Sequence, residues 1–189
     1  MKGAPGCGLG CGCAGLAGAL ALVLAIGLAG ALGGVWATAA AADSSTGGVT
    51  GAVVWPVDGV LTQPFGPTSL VLEPPRCYQG TCYAHFHDGI DLAAPLGTPV
   101  RAMAAGRVVL AAMVPDGAVV VEIDHGAGLR SLYGHLELDL AVTVGDTVVA
   151  GQVLGTVGMT GNTTGPHLHF GVWQDGVPID PLGLLPPRG

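Results

Sequence analysis

The chain has 189 residues, half of them hydrophobic and only 10% charged, with 34 glycines and a formal net charge of −7. That length allows one domain of ordinary size plus an appendage. An acidic balance with six Lys and Arg in all argues against nucleic-acid binding, which needs a cationic surface.

Much of the compositional bias lies at the front. No charged residue occurs between Lys2 and Asp43, and residues 15–36 form an almost unbroken Leu/Ala/Val/Ile/Gly run. About 20 apolar residues in helical form cross a hydrocarbon core, so the run predicts one N-terminal hydrophobic helix. The start amine and Lys2 precede it, which suits an N-terminus left in the cytoplasm. Length favours an uncleaved signal anchor, with attachment to a membrane. The small residues at 37–42 offer A-x-A-like sites and favour a cleaved secretory signal. Either way the remainder is expected to be extracytoplasmic, in the cell envelope. Cys7, Cys11 and Cys13 precede the apolar run rather than follow it, against a lipoprotein, and have no role in this reading.

Residues 1–42 are thus read as a cytoplasmic tip plus anchor or signal, 43–52 as a flexible linker, and 53–186 as the folded domain. Beyond residue 42 there are five Arg, no Lys and 13 acidic residues, a charge of about −8. Only two cysteines remain there, Cys77 and Cys82, and in an oxidising compartment they are expected to close a small disulfide loop.

In chain order, residues 59–62 predict a first short strand, and 66–84, with their prolines and cysteines, a long loop. Beyond Thr98 come short β segments at 106–110, 118–123, 129–133, 146–149 and 153–157, rich in β-branched residues and split by Gly turns. Turn signals every eight to twelve residues predict an all-β domain, antiparallel and sandwich-like. The stretch 144–154 resembles the turns of biotinyl/lipoyl carrier domains, which relates the domain to barrel-sandwich hybrids. Such carriers attach their cofactor to a lysine, and residues 43–189 contain none, so that function is excluded.

The chemistry concentrates near the C-terminus in Gly165-Pro166-His167-Leu168-His169-Phe170. In a strand, i and i+2 share a face, so His167 and His169 stand side by side, Cα atoms about 6.6 Å apart. Two such imidazoles can share a metal, or one can bind it while the other moves a proton. Four further histidines are His85, His87, His125 and His135. His87 lies four residues before Asp91. A hydrolytic zinc site wants three protein ligands and an open position, which His87, Asp91 and one of the 167/169 pair would provide. The unused histidine and His135 would then serve as bases or hydrogen-bond donors.

These motifs, His87-x-x-x-Asp91, Gly134-His135-Leu136 and the 165–170 segment, resemble those of the lysostaphin/LytM-type zinc metallopeptidases, murein endopeptidases of peptidase family M23. Trp55-Pro56-Val57, Thr62-Gln63-Pro64-Phe65-Gly66, the 94–100 segment and Ile179-Asp180-Pro181 resemble further landmarks of that family, so the likeness runs from about Trp55 to Leu184. The resemblance implies that His87, Asp91 and His169 bind Zn²⁺ and that His135 and His167 are catalytic. It implies a substrate too: peptidoglycan stem or cross-bridge peptides. A non-catalytic wall-binding or docking domain on the same fold is the alternative, and a carboxypeptidase removing terminal D-alanine a variant of the first reading. Gly171 stands where the family often has an acidic residue, and the cysteine loop has no counterpart in the family's core pattern.

The other polar residues receive plainer readings. His125 is expected to be an exposed turn residue, His85 a loop histidine without a role, and Asp88 a solvated turn residue. Tyr133 is expected to pack in a strand or to border the cleft.

Overall fold

The computed structural model describes residues 51–188, within a compact unit that runs from Asp43 to Gly189. The expected N-terminal helix, most of the expected linker, and Cys7, Cys11 and Cys13 lie outside the described residues. No helix among the described residues is long and apolar enough to cross a membrane.

The described chain is all-β and antiparallel, and its one helical element is a short 3₁₀ turn, Pro181–Gly183. The strands in order are β1 (Val60–Gln63), β2 (Gly66–Pro67), β3 (Arg76–Tyr78), β4 (Thr81–Tyr83), β5 (Phe86–His87), β6 (Gly89–Ala93) and β7 (Pro99–Arg101). They continue with β8 (Gly106–Met113), β9 (Val119–Gly126), β10 (Leu129–Gly134), β11 (Thr147–Val148), β12 (Val153–Thr156), β13 (His167–Gln174) and β14 (Val177–Ile179). One large sheet has the order β1-β6-β13-β10-β9-β8-β11, and β14 pairs with the far end of β13. The β13–β14 hairpin turns at Asp175-Gly176, where both φ angles are positive, the geometry that a two-residue hairpin demands.

Strand β13 shows how the sequence writes the sheet. Leu168, Phe170 and Val172 are fully buried on one face, and His167 and His169 alternate with them on the other. Ile90 and Leu92 of β6, Tyr133 of β10, Val121 and Ile123 of β9 and Val108 of β8 complete the inner face. Val100 of β7 and Leu154 of β12 pack against it from the separate β7–β12 pair. Each such fully buried side chain contributes about 1.5–3 kcal/mol. The apolar side holds the sheet rigid, and its other side carries the polar residues.

Two expectations are corrected here. The 66–84 stretch is more ordered than a loop: β2 pairs with β5, and β3 and β4 form a hairpin turning at Gln79-Gly80. Cys77 and Cys82 face each other across that hairpin and are joined by a disulfide. His125 is not an exposed turn residue. It lies in β9, half-buried, with Nδ1 2.7 Å from the Ala105 carbonyl and Nε2 2.7 Å from Ser131 Oγ. Ser131 Oγ in turn donates to the Tyr133 hydroxyl, which accepts from the Met103 amide at 2.8 Å. Tyr133 therefore faces the core and not the cleft. Its burial pushes the phenol up to about 12, so it stays a neutral hydroxyl.

Candidate active site

Adjacent strands set the site. β6 and β13 pair with His169 opposite Asp91, and β13 and β10 pair with His169 opposite Gly134. β5 delivers His87 just ahead of β6, fully buried. His135 follows the last residue of β10 at φ 61°, a left-handed conformation in which His is more tolerated than most residues. That turn brings its ring to the His167 ring, centroids 4.7 Å apart. Gly89 is needed for the close approach of β6 to β13, because a Cβ there would lie 2.6 Å from the Phe170 carbonyl oxygen and 2.9 Å from His169 Cε1.

Three acceptor atoms converge. His87 Nε2 is 3.0 Å from His169 Nδ1 and 3.1 Å from Asp91 Oδ1, and His169 Nδ1 is 3.1 Å from that same oxygen. The Pro64 carbonyl, 3.0 Å from His87 Nδ1, takes the proton of that ring and leaves Nε2 bare. Lone pairs gathered this tightly repel one another unless a cation or extra protons lie between them. A four-coordinate zinc with ligands at about 2.0–2.2 Å has ligand–ligand edges of about 3.4 Å, so the triangle fits a metal with little adjustment. Among the described residues this is the one cluster of three or more His, Cys, Asp or Glu side chains suited to a metal.

Without a cation between these side chains, the electrostatics draw protons into the cluster instead. Burial disfavours the Asp91 carboxylate, but hydrogen bonds from His169 and His87 outweigh it and hold the group well below the usual carboxylate range. For His87, burial opposes protonation while Asp91 favours it, and the net direction is upward. His135 goes the other way. Burial lowers its pKa, His167 and His169 add to that, and the hydrogen bond to the Thr160 carbonyl only partly opposes them. His135 is thus neutral near pH 7, with Nδ1 donating to the Thr160 carbonyl at 2.8 Å and Nε2 left as a base. The His167 ring is oriented by similar contacts, with Nδ1 2.8 Å from the Gly165 carbonyl and Nε2 3.6 Å from Asp91 Oδ2.

All five side chains singled out in the sequence thus lie together, and four of them, Asp91, His135, His167 and His169, line a cleft of about 380 Å³. Its other walls include Leu70, Leu72, Leu110 and Leu132. A larger cavity of about 680 Å³ lies around Trp55, Arg101 and Arg188, away from these residues. His85 does not reach the site; its Nδ1 lies 2.8 Å from the Glu73 carbonyl. Asp88, expected to be a solvated turn residue, is instead paired to Arg76 at 2.6 Å and faces His169. Sequence reasoning missed Arg76 altogether, since nothing in its spacing connects it with residue 88.

Known proteins share this arrangement of sequence and fold. The model of peptidase family M23 matches residues 85–181. A Neisseria meningitidis protein named DD-carboxypeptidase/endopeptidase Mpg is 42% identical over 101 residues, 53% of this chain and 23% of that protein. The chain thus spans about a quarter of that relative's length. The structure of a zinc-containing peptidase from Vibrio cholerae is similar with a TM-score of 0.58 and 32% identity, covering 68% of this chain and 39% of that one. The catalytic domain of the antimicrobial peptidase lysostaphin from Staphylococcus simulans is similar with a TM-score of 0.55 and 31% identity, covering 67% of this chain and 91% of that one.

Proposed function

The chain belongs to peptidase family M23, and from that premise we propose that it is a zinc-dependent endopeptidase hydrolysing peptide bonds in peptidoglycan stem or cross-bridge peptides. The observation that carries this reading is the triangle of bare acceptors on His87, Asp91 and His169, flanked by two histidines whose Nε2 atoms face inward. His87, Asp91 and His169 would hold Zn²⁺. The ion supplies Lewis acidity, making a water more acidic and a carbonyl more electrophilic.

The remaining work falls to the protein's own residues. Neutral His135 accepts the proton of the attacking water at Nε2, and the Thr160 carbonyl keeps its Nδ1–H turned away. His167 reaches the same space from the neighbouring strand, its ring centroid 4.7 Å from that of His135. Protonated, its Nε2 can donate to the developing oxyanion or to the leaving amine. Leu70, Leu72 and Leu132 line the cleft and keep water away from a bound peptide. Action on peptidoglycan puts the site in the extracytoplasmic envelope, with the apolar 15–36 segment holding the protein at a membrane if it is not cleaved.

The test is digestion of purified wall material by the zinc-loaded, full-length protein, with the new amino and carboxyl ends identified. Paired new ends that vanish on chelation and return with added zinc are the expected result. Release of terminal D-alanine alone would replace the endopeptidase by a carboxypeptidase. Folded, zinc-loaded protein that binds wall and releases nothing would overturn catalysis in favour of a docking domain.

A further inference from the structure

A metal-bound imidazole donates its other ring N–H to a partner that fixes both tautomer and orientation. For His87 that partner is the Pro64 carbonyl. For His169 the nitrogen turned towards His87 and Asp91 is Nδ1, so the proton belongs on Nε2. Its own strand offers nothing to receive that proton. Two residues on, the same face carries Gly171, and the Trp173 ring fills the space above it, 2.4 Å from where a Cβ would stand. The nearest carboxylate comes from the neighbouring strand segment. Asp88 Oδ1 lies 3.7 Å from His169 Nε2, one small side-chain rotation from a hydrogen bond.

Asp88 is itself held. Its other oxygen is 2.6 Å from Arg76 Nη2, and both side chains are mostly buried, 24% and 32% exposed. Arg76 opens β3, the first strand of the disulfide-closed hairpin. The hairpin is packed in place by Tyr78 and Tyr83, whose rings lie 5.0 and 5.6 Å from the buried Phe86 ring, immediately before His87. Arg76 Nε is buried without a partner, so the guanidinium is placed by its contact with Asp88 and not by its own hydrogen-bond satisfaction.

We propose that Asp88 is a positioning residue for the metal centre: it receives the Nε2–H of His169, and Arg76 on the disulfide hairpin locks it there. The hairpin is thereby a strut of the metal site. This rests on His169 being a ligand through Nδ1, as read above. Asp88 touches neither metal nor substrate and acts only through the imidazole.

Zinc affinity of the full-length chain, measured by competition with a chromophoric chelator, tests this apart from activity. Asp88→Ala should weaken zinc binding by about 10–100-fold, the usual effect of removing such a partner. Asp88→Asn, which still accepts one hydrogen bond, should recover part of the loss. Arg76→Ala should weaken binding less, and the Arg76→Ala/Asp88→Ala double variant should be no weaker than Asp88→Ala alone, because Arg76 acts through Asp88. In the zinc-loaded protein, a slowly exchanging His169 Nε2–H resonance should be present and should be lost in Asp88→Ala. Unchanged affinity and an unchanged resonance in folded Asp88→Asn and Arg76→Ala would overturn the proposal even if Asp88→Ala does not fold. A His169→Ala variant that keeps full zinc affinity would instead overturn the ligand reading beneath it. Loss of zinc in His169→Ala with no effect at Asp88 isolates the failure to this inference.

Discussion

His167 and His169 stand two residues apart on one strand face, yet their rings are tied down by opposite atoms. His167 has Nδ1 against the Gly165 carbonyl and Nε2 inward, whereas His169 turns Nδ1 inward. Ligation and catalysis should therefore separate within one strand. His169→Ala should lose most bound zinc, and His167→Ala or His135→Ala should keep it while turnover falls by about 10²–10⁴-fold, the usual worth of a positioned acid or base. Zinc content and peptide cleavage of the three variants check this, and zinc lost from His167→Ala but kept by His169→Ala would interchange the two roles. The pH profile follows from His135. In the proposed reaction it is the neutral base, and its folded pKa lies below 6.5, so the acid limb of kcat/KM should fall below pH 6.5 as well. An acid limb at pH 7 or above would remove His135 from that role. Period two in the sequence was enough to put both rings of the 167/169 pair on one face. Which nitrogen His87 and His135 present was not legible, because the deciding carbonyls of Pro64 and Thr160 lie 23 and 25 residues from the histidines that they orient.

At the scale of elements, the tight seam between β6 and β13 and the polar chain beneath β9 and β10 each make a prediction. Gly89→Ala would press a methyl group into the β13 backbone and His169, so a loss of about 1–3 kcal/mol, typical of overpacking, should accompany weaker zinc binding. Denaturant unfolding with and without metal measures both. His125 bridges Ala105 to Ser131, and burial lowers its pKa. The unfolded chain then takes up a proton near pH 6.5 that the folded one refuses. Stability is fully present above pH 6.5, is lost as pH falls towards the folded pKa, and then levels off. His135 adds in the same direction, the raised pKa of His87 opposes them, and Asp91 acts only nearer its ordinary value of 3.8, well below that window. His125→Gln should flatten part of the decline in unfolding free energy between pH 7.5 and 5.5, and an unchanged slope would show that the decline arises elsewhere. The strands at 106–113, 119–126 and 129–134 were readable because β-branched residues and Gly turns mark them locally. The 76–83 hairpin was not, since three-residue strands carry too little pattern and their order comes from a cross-link and from contacts with Phe65 and Phe86. His125 was misjudged for a related reason: a Gly follows it, but its partners at 105 and 131 come from two other segments.

On the scale of the whole molecule, charge is the property that no single residue reveals. The chain carries −7, and beyond residue 42 five arginines face 13 acidic residues. Two of the arginines are already committed, Arg76 to Asp88 and Arg130 to Glu122. Glu73 and Asp116 stand at the cleft beside Asp91, with no Lys or Arg among the lining residues. An approaching peptide therefore meets a negative field, and field lines concentrate in clefts. For two synthetic peptides with the same scissile bond, one of net charge +2 and one of −2, kcat/KM should favour the cationic one at low salt, by at least several-fold. Since the Debye length shrinks from about 30 Å at 0.01 M to about 3 Å at 1 M, the preference should collapse as salt rises. The cationic peptide should slow and the anionic one quicken, while kcat changes little for either. A preference that persists at 1 M salt would mean contacts within the cleft, and not the field of the molecule, discriminate between them.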